Sequence, residues 1–384
     1  MKKSWGCKYM KNTSLFSFFS GSGFLDLGFE NAGYNVVFVN EYYKPFLKAY
    51  QHSRKLMNIE EPEFGYSYEN ITEYINGKMG EFLKESVNKK QKEGLVGFIG
   101  GPPCPDFSVG GKNRGRHGDN GKLSGTYINI INNCKPDFFL FENVKGLWRT
   151  KKHRAFFEEL KRQLQDNGYI TTECLVNSIE YGAPQDRNRI ILIGFQEKLL
   201  KSLNFDDYFT CSISNGSFPW KKFTKYEKEQ VFSLAWPKQK IFEENSEIVP
   251  PKDVPIELTV QHWFLKNDVE NHANSQHFFR PRNGLARFKT VNEGDDSKKS
   301  FKRLHRWRYS PTACYGNNEV HLHPYKARRI TVSEALSIQS LPLNFVFPEN
   351  MSLTDMFKAI GNGVPYLTAK GLAKSIGSFL EKKK

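Results

Sequence analysis

Between residues 14 and 195, short apolar runs of strand length alternate with turns and with stretches compatible with helix. The runs are Leu15 to Phe19, Val36 to Val39, Leu95 to Ile99, Phe138 to Phe141 and Ile190 to Ile193, each about as long as a buried strand. Runs of this kind separated by helical segments predict a Rossmann-like α/β domain with a largely parallel sheet. The residues just beyond the runs are more specific. Ser20-Gly21-Ser22-Gly23 comes after the first, Asn40-Glu41 after the second, Gly100-Gly101-Pro102-Pro103-Cys104 after the third and Glu142-Asn143 after the fourth. Ligands of open α/β sheets bind beyond the carboxyl ends of the strands, so these segments are expected to converge on one crevice.

From about 196 to 325 regular apolar runs thin out, Lys, Asn and Ser become frequent, and Pro250-Pro251 marks a turn. A second, smaller, mostly irregular or β domain is expected there. A helical pattern returns through Thr331 to Ser340, stops at Leu341-Pro342, and resumes from Pro365 towards Leu380. The predicted organisation is a first domain over 1–195, a second over 196–325, a hinge over 326–350, and C-terminal helices over 351–384 that return to the first domain.

The balance of 56 Lys and Arg against 41 Asp and Glu leaves a formal charge of +15, which favours a polyanionic partner, nucleic acid first. With 32 Phe and 17 Tyr the 384-residue chain is too aromatic for general disorder. Its six cysteines are scattered, without CxxC spacing, which suits a reducing cytoplasm and excludes a disulfide scaffold. No Cys and His group has zinc-ligand spacing; His321 and His323 read as a polar edge, and no metal is expected. Leu15 to Phe19 is too short for a signal peptide or membrane span, so a cytoplasmic protein is expected, with no membrane partner.

The loop Phe19-Ser20-Gly21-Ser22-Gly23 lets backbone approach a nucleotide-like ligand, and Glu41 lies at about the separation, roughly 20 residues, at which a strand-end carboxylate receives ribose hydroxyls. These two features favour an adenosine-containing cofactor without separating a nicotinamide dinucleotide from S-adenosylmethionine. The third segment separates them. In Gly100-Gly101-Pro102-Pro103-Cys104-Pro105-Asp106-Phe107-Ser108 the paired prolines stiffen the backbone on either side of one thiol, as a nucleophile requires and a dehydrogenase does not.

That segment resembles the catalytic loop of the cytosine-5 DNA methyltransferases, Gly-Pro-Pro-Cys-Gln-x-Phe-Ser, with Pro105 in place of the glutamine. Further segments resemble the family's motifs, in the family's order: Glu142-Asn143-Val144, Gln185-Asp186-Arg187-Asn188-Arg189, Arg328-Arg329-Ile330-Thr331 and Gly361-Asn362-Gly363-Val364-Pro365. The resemblance covers residues 14–195 and 326–375. It implies methyl transfer from S-adenosylmethionine to carbon 5 of cytosine, with Cys104 as covalent nucleophile, Glu142 at ring nitrogen 3, Arg189 at the exocyclic oxygen and Arg187 in support. It also implies a cofactor site made of Phe19, Ser20, Gly21, Ser22, Gly23, Phe24, Glu41, Tyr42, Asn70, Ile71, Pro103, Asn362 and Val364. Phe24 stands where the family commonly has a third glycine, and Asn70 where it often has an aspartate that receives the adenine amine.

Cytosine in a stacked duplex is out of reach, so the resemblance implies base flipping, with the glycine-rich stretch 109–124 closing over DNA phosphates. Ser108, Lys112, Arg114 and Arg116 are the expected contacts there. The domain over 196–325 is then the target-recognition domain, in which Lys302, Arg303, Arg306 and Arg308 of the basic, aromatic run Phe301 to Tyr309 are expected to meet DNA. The expected setting is a monomeric modification enzyme acting on duplex DNA beside a companion restriction endonuclease. Two alternatives share many of these residues: a transfer-RNA cytosine-5 methyltransferase of the same fold, and a relative that binds DNA without modifying it.

Overall fold

The computed structural model describes residues 12–103, 119–281, 285–298, 300–315 and 319–381, the side chains of residues 119, 120 and 152 aside. All the predicted runs are strands. They are β1 (Thr13–Phe18), β2 (Asn35–Asn40), β4 (Leu95–Gly100), β5 (Phe138–Val144) and β7 (Asn188–Gln196). The remaining strands are β6 (Tyr169–Asn177) and three two-residue pieces, β3 (Tyr66–Ser67), β8 (Tyr208–Phe209) and β9 (Ser212–Ile213). One nine-stranded sheet holds them in the order β3-β2-β1-β4-β5-β7-β6-β9-β8.

These segments are near-continuously apolar because they are buried on both faces. Successive side chains of a strand point to opposite faces. Leu15, Ile99, Leu140, Ile191 and Ile193 therefore join one cluster with Leu372, Ala373, Ile376 and Phe379 of the helix Tyr366–Leu380. Phe16, Phe18, Phe98, Phe139, Phe141 and Leu192 join another with Ile128 and Ile131 of the helix Asp119–Cys134 and Leu160 and Leu164 of the helix Lys151–Gln165. The sheet is thus covered on both sides.

Strands β1 to β5 pair in parallel, so their carboxyl ends share one edge. The expectation of a largely parallel sheet holds that far. Beyond β5 the sheet is mixed, because β7 runs antiparallel to β5, from Phe138 opposite Phe195 to Val144 opposite Arg189. Strand β6, whose apolar character is interrupted by Thr171-Thr172-Glu173, is not among the predicted runs and pairs antiparallel with β7.

The sheet also continues past residue 195 through β9 and β8, and Phe205 and Phe218 pack on Phe379 at centroid distances of 5.0 and 5.2 Å. Farther on, the described residues form short helices (Lys228–Ser233, Val260–Lys266, Leu285–Thr290) and isolated bridges, the irregular character expected of this region. Residues 326–350 are well packed: Ile330, Val332, Ala335, Leu336, Ile338 and Leu341 enter a cluster with Phe24, Leu27 and Phe264. The helix Val332–Ile338 begins on a capping box between Thr331 and Glu334. The next helix, Leu353–Asn362, starts where the Ser352 side chain accepts from Asp355 N at 3.1 Å.

Leu372 is fully buried between the C-terminal helix and the sheet. Leu372→Ala is expected to lower unfolding free energy by about 2–5 kcal/mol, the usual cost of a large-to-small core change, as read from urea denaturation.

Candidate active site

At the carboxyl edge of the sheet Glu142, near the end of β5, is 8% exposed and faces Arg189, whose Nε lies 2.9 Å from Glu142 Oε1. Their strands place them together, since Val144 pairs with Arg189 and Glu142 with Ile191. Burial raises the Glu142 carboxyl above its ordinary range, and the charges of Arg189 and Arg187 oppose that rise. The carboxyl is therefore poised to keep or donate a proton nearer neutrality than an exposed glutamate.

Arg187 is fully buried. Its Nη1 donates to Ala313 O at 3.0 Å and its Nη2 to Gly361 O at 2.8 Å. Burial and the neighbouring Arg189 charge lower its pKa.

The loop leaving β4 comes to the same place. A Cβ on Gly101 would stand 2.7 Å from Glu142 Oε2, so any larger residue there would have to displace the carboxyl. Asn143 Nδ2 reaches Pro102 O at 3.5 Å while Asn143 Oδ1 accepts from Val144 N at 2.8 Å. Pro103, expected at the cofactor, is half-buried at the end of this stretch. Cys104 and the expected DNA contacts Ser108, Lys112, Arg114 and Arg116 lie outside the described residues.

The first loop and Glu41 meet on the neighbouring strand ends. Gly21 N donates to Glu41 Oε2 at 2.9 Å and Tyr43 N to Glu41 Oε1 at 2.8 Å. Burial raises the Glu41 carboxyl, and those two backbone donors hold it down. Phe19 and Gly21 have left-handed backbone (φ 52° and 57°), and Ser20 Oγ is buried with no hydrogen-bond partner among the described residues. An orphaned hydroxyl beside an oriented carboxylate fits a polar ligand carrying hydroxyls and a charged tail. Tyr42 is 67% exposed at the rim. Lys358 and Asp355 of the helix Leu353–Asn362 adjoin it: Lys358 stands 4.8 Å from the Tyr43 ring centroid, and the Tyr43 hydroxyl donates to Asp355 Oδ1 at 2.8 Å. No local signal marked Lys358 or Asp355, since only the return of the C-terminal segment brings them here.

Several of the expected cofactor residues have side chains engaged within the protein. The ring of Phe24 is 2% exposed and packs edge-on to Phe345 at 5.1 Å, so its side chain serves the core. Ile71 is likewise in an apolar cluster. Asn70 Oδ1 accepts from Thr72 N at 3.1 Å and Thr72 Oγ1 at 3.0 Å, capping a short 3-10 turn. Ser22 is buried, with its hydroxyl 3.5 Å from Phe46 O. Asn362 is exposed at the end of its helix, not in a loop, and Val364 is buried in the sheet cluster.

Beneath the first loop lies a buried charge network that sequence reasoning missed. Arg54, 2% exposed, donates from Nη2 to Gly23 O at 2.7 Å, pairs through Nε with Glu30 Oε2 at 2.8 Å, and lies 4.3 Å from the Tyr50 ring centroid. Gly23 has φ 80°, and a Cβ there would meet Tyr50 at 2.5 Å, so the close approach of Arg54 and Tyr50 requires glycine. Asp26, fully buried, accepts from Ser17 Oγ at 2.9 Å.

Burial pushes the Asp26 carboxyl from 3.8 to about 6, against the pull of Arg54. The folded state therefore holds a proton that the unfolded chain releases, and this contribution to stability is full below about pH 4 and lost as pH rises through about 6. Relative to Asp26→Asn, the wild type is expected to lose about 3 kcal/mol of unfolding free energy between those values, measured by denaturant titration at each pH.

Of the basic run, Lys302 and Arg308 are half-buried, whereas Arg303 and Arg306 are interior. Arg303 donates to the carbonyls of Val291 (2.8 Å), Lys326 (3.2 Å), Phe288 and His323. Arg306 pairs with Glu293 at 2.8 Å and donates to Ser246 O. Neither guanidinium is free for DNA, which corrects the expectation for these two: their charge is consumed in tying the irregular region together. Arg303→Met is expected to cost on the order of 3 kcal/mol, through stranded buried carbonyls, with the DNA affinity of the folded fraction unchanged. Thermal melting and a binding titration on the same sample would check this.

Among the described residues no helix is long and apolar enough to cross a membrane, and no group of His, Cys, Asp and Glu is arranged to hold a metal ion.

The profile of the C-5 cytosine-specific DNA methylase family matches residues 13–378. The Type II methyltransferase M.NmeDI of Neisseria meningitidis serogroup C is 54% identical over 373 residues, covering 97% of this chain and 85% of that protein. The Type II methyltransferase M.NgoPII of Neisseria gonorrhoeae is 30% identical, with 96% of each covered. Among solved structures the S. pombe Dnmt2 methyltransferase aligns with a TM-score of 0.58 at 13% identity, over 96% of this chain and 98% of that one. At that identity the likeness supports the fold alone.

Proposed function

The chain belongs to the C-5 cytosine-specific DNA methylases, and from that premise we propose that it methylates cytosine in one particular duplex sequence, through a covalent bond from Cys104 to a flipped-out base. It is a DNA methyltransferase of the type II restriction-modification kind. The single observation that carries the proposed mechanism is the buried Glu142–Arg189 pair, set beside the loop that leads to Cys104.

Cytosine carbon 5 is a weak nucleophile. Addition of the Cys104 thiolate to carbon 6 turns the ring into an enamine, provided that negative charge collecting at ring nitrogen 3 is met by a proton. Glu142, whose carboxyl burial raises, would supply that proton, and Arg189 would hold both the carboxyl and the exocyclic oxygen. Arg187 would act through backbone, fixing the Ala313 and Gly361 carbonyls. The enamine carbon 5 would then take the methyl group, the sulfonium leaving as S-adenosylhomocysteine, and loss of the carbon 5 proton to a base would restore the ring double bond and expel Cys104.

The residues around the first loop fit S-adenosylmethionine. Glu41 would receive ribose hydroxyls on its remaining lone pairs, Ser20 Oγ would hydrogen-bond the amino acid end, and Tyr42 would stack at the rim. When bound, that cofactor supplies an electrophilic methyl on a sulfonium. The irregular region within 196–325 is proposed as the reader of the target sequence, with Lys302 and Arg308 as its contributions from the basic run. A companion endonuclease fits the names of the relatives. The size of this region favours duplex DNA over transfer RNA as substrate.

Incubation with labelled S-adenosylmethionine and duplex DNA is expected to label the DNA. Cys104→Ser is expected to abolish labelling, and Glu142→Gln to slow it by about 10²–10⁴-fold, the usual share of a general acid. Label on transfer RNA alone, or label undiminished by Cys104→Ser, would refute this reading.

A further inference from the structure

Two chain segments that are distant in sequence meet at the start of β7, where one buried peptide is gripped at both of its ends. The Ala313 N–H donates to Gln185 Oε1 at 3.1 Å, and the Ala313 carbonyl accepts from Arg187 Nη1 at 3.0 Å. From there the contacts pass to the C-terminal part of the chain. Gln185 Nε2 donates to Gln339 Oε1 at 3.4 Å, Gln339 Nε2 donates to Ile360 O at 2.5 Å, and Arg187 Nη2 donates to Gly361 O at 2.8 Å. Gln185, Arg187, Ala313 and Gln339 are all fully buried. Next to the gripped peptide the backbone is paired as well, Asp186 N to Ser310 O at 2.9 Å and Ser310 N to Pro184 O at 2.8 Å.

We propose that Gln185 is a positioning residue for methyl transfer, which locks the segment 310–313, where the chain leaves the irregular region, to the segment Gly361–Val364 beside the first loop. The proposal rests on the function proposed for this site. A hydrogen-bond network sealed from water has few arrangements that satisfy every member, and each stranded donor or acceptor costs about 1–3 kcal/mol. The two segments therefore cannot shift independently. If one bears on DNA and the other on cofactor, the binding of each ligand favours the other by the same factor, since linkage is reciprocal. Gln185 is sealed from solvent and acts through Ala313, Gln339 and the Ile338 carbonyl, which its Nε2 reaches at 3.5 Å.

The test compares Kd for a duplex carrying the recognition sequence, found by bisulfite sequencing, with and without saturating S-adenosylhomocysteine. In the wild type the product is expected to tighten DNA binding by about fivefold or more, the lower range of measured couplings. Gln185→Met, of similar size but unable to donate or accept, is expected to bring that ratio to near one and to raise the DNA KM, with kcat at saturation of both substrates nearly unchanged. Gln185→Glu keeps the acceptor for Ala313 and loses the donor to Gln339; it is expected to give an intermediate ratio, and it carries the test if the methionine variant does not fold. A wild-type ratio of one, or a folded variant with an unaltered ratio, overturns the proposal. If the wild type methylates no DNA at all, the failure lies instead in the functional reading.

Discussion

The pairing of Val144 with Arg189 across antiparallel β5 and β7 is the constraint on which the catalytic edge depends. Parallel neighbours bring β1, β2, β4 and β5 to that edge by their carboxyl ends. A parallel β7 would deliver its amino end, and with it Arg187 and Arg189, to the opposite edge of the sheet. The reversal puts a guanidinium 2.9 Å from a buried carboxylate, which neither group would tolerate alone in that setting. The pair is thus a product of topology, and Arg189 tempers the rise that burial imposes on the Glu142 carboxyl.

Buried charge recurs as a structural device in this basic chain. Arg54 anchors the Gly23 carbonyl, Arg187 spans Ala313 and Gly361, Arg303 gathers backbone carbonyls, and Arg306 pairs with Glu293. In each case the guanidinium offers several donors in a fixed plane to buried acceptors, most of them backbone carbonyls in loops or at helix ends. Part of the excess of Lys and Arg is therefore spent inside, and the charge left for a polyanion is smaller than the formal +15 suggests.

The irregular region is held by such contacts because it has little ladder to rely on. Its described residues form short helices and isolated bridges, yet Val260, Phe264, Leu304 and Ala313 enter the same apolar cluster as Phe24 and Phe46 behind the first loop. A region expected to read DNA is in this way built directly onto the frame of the first loop.

What the sequence determined by itself was local. Apolar runs located β1, β2, β4, β5 and β7, because burial on both faces demands them, and the residues beyond those runs marked the edge where Ser20, Glu41, Gly101 and Glu142 gather. The helices after Thr331 and Pro365 were legible from a cap and a proline. Tertiary structure alone decided the direction of β7, the existence of β6, the interior fate of Arg303 and Arg306, and the grip of Gln185 on Ala313. The physical reason is common to all of these. Periodicity records which face of an element is buried, whereas strand direction and the partner of a buried polar group depend on contacts between residues far apart in the chain, whose geometry no local pattern carries.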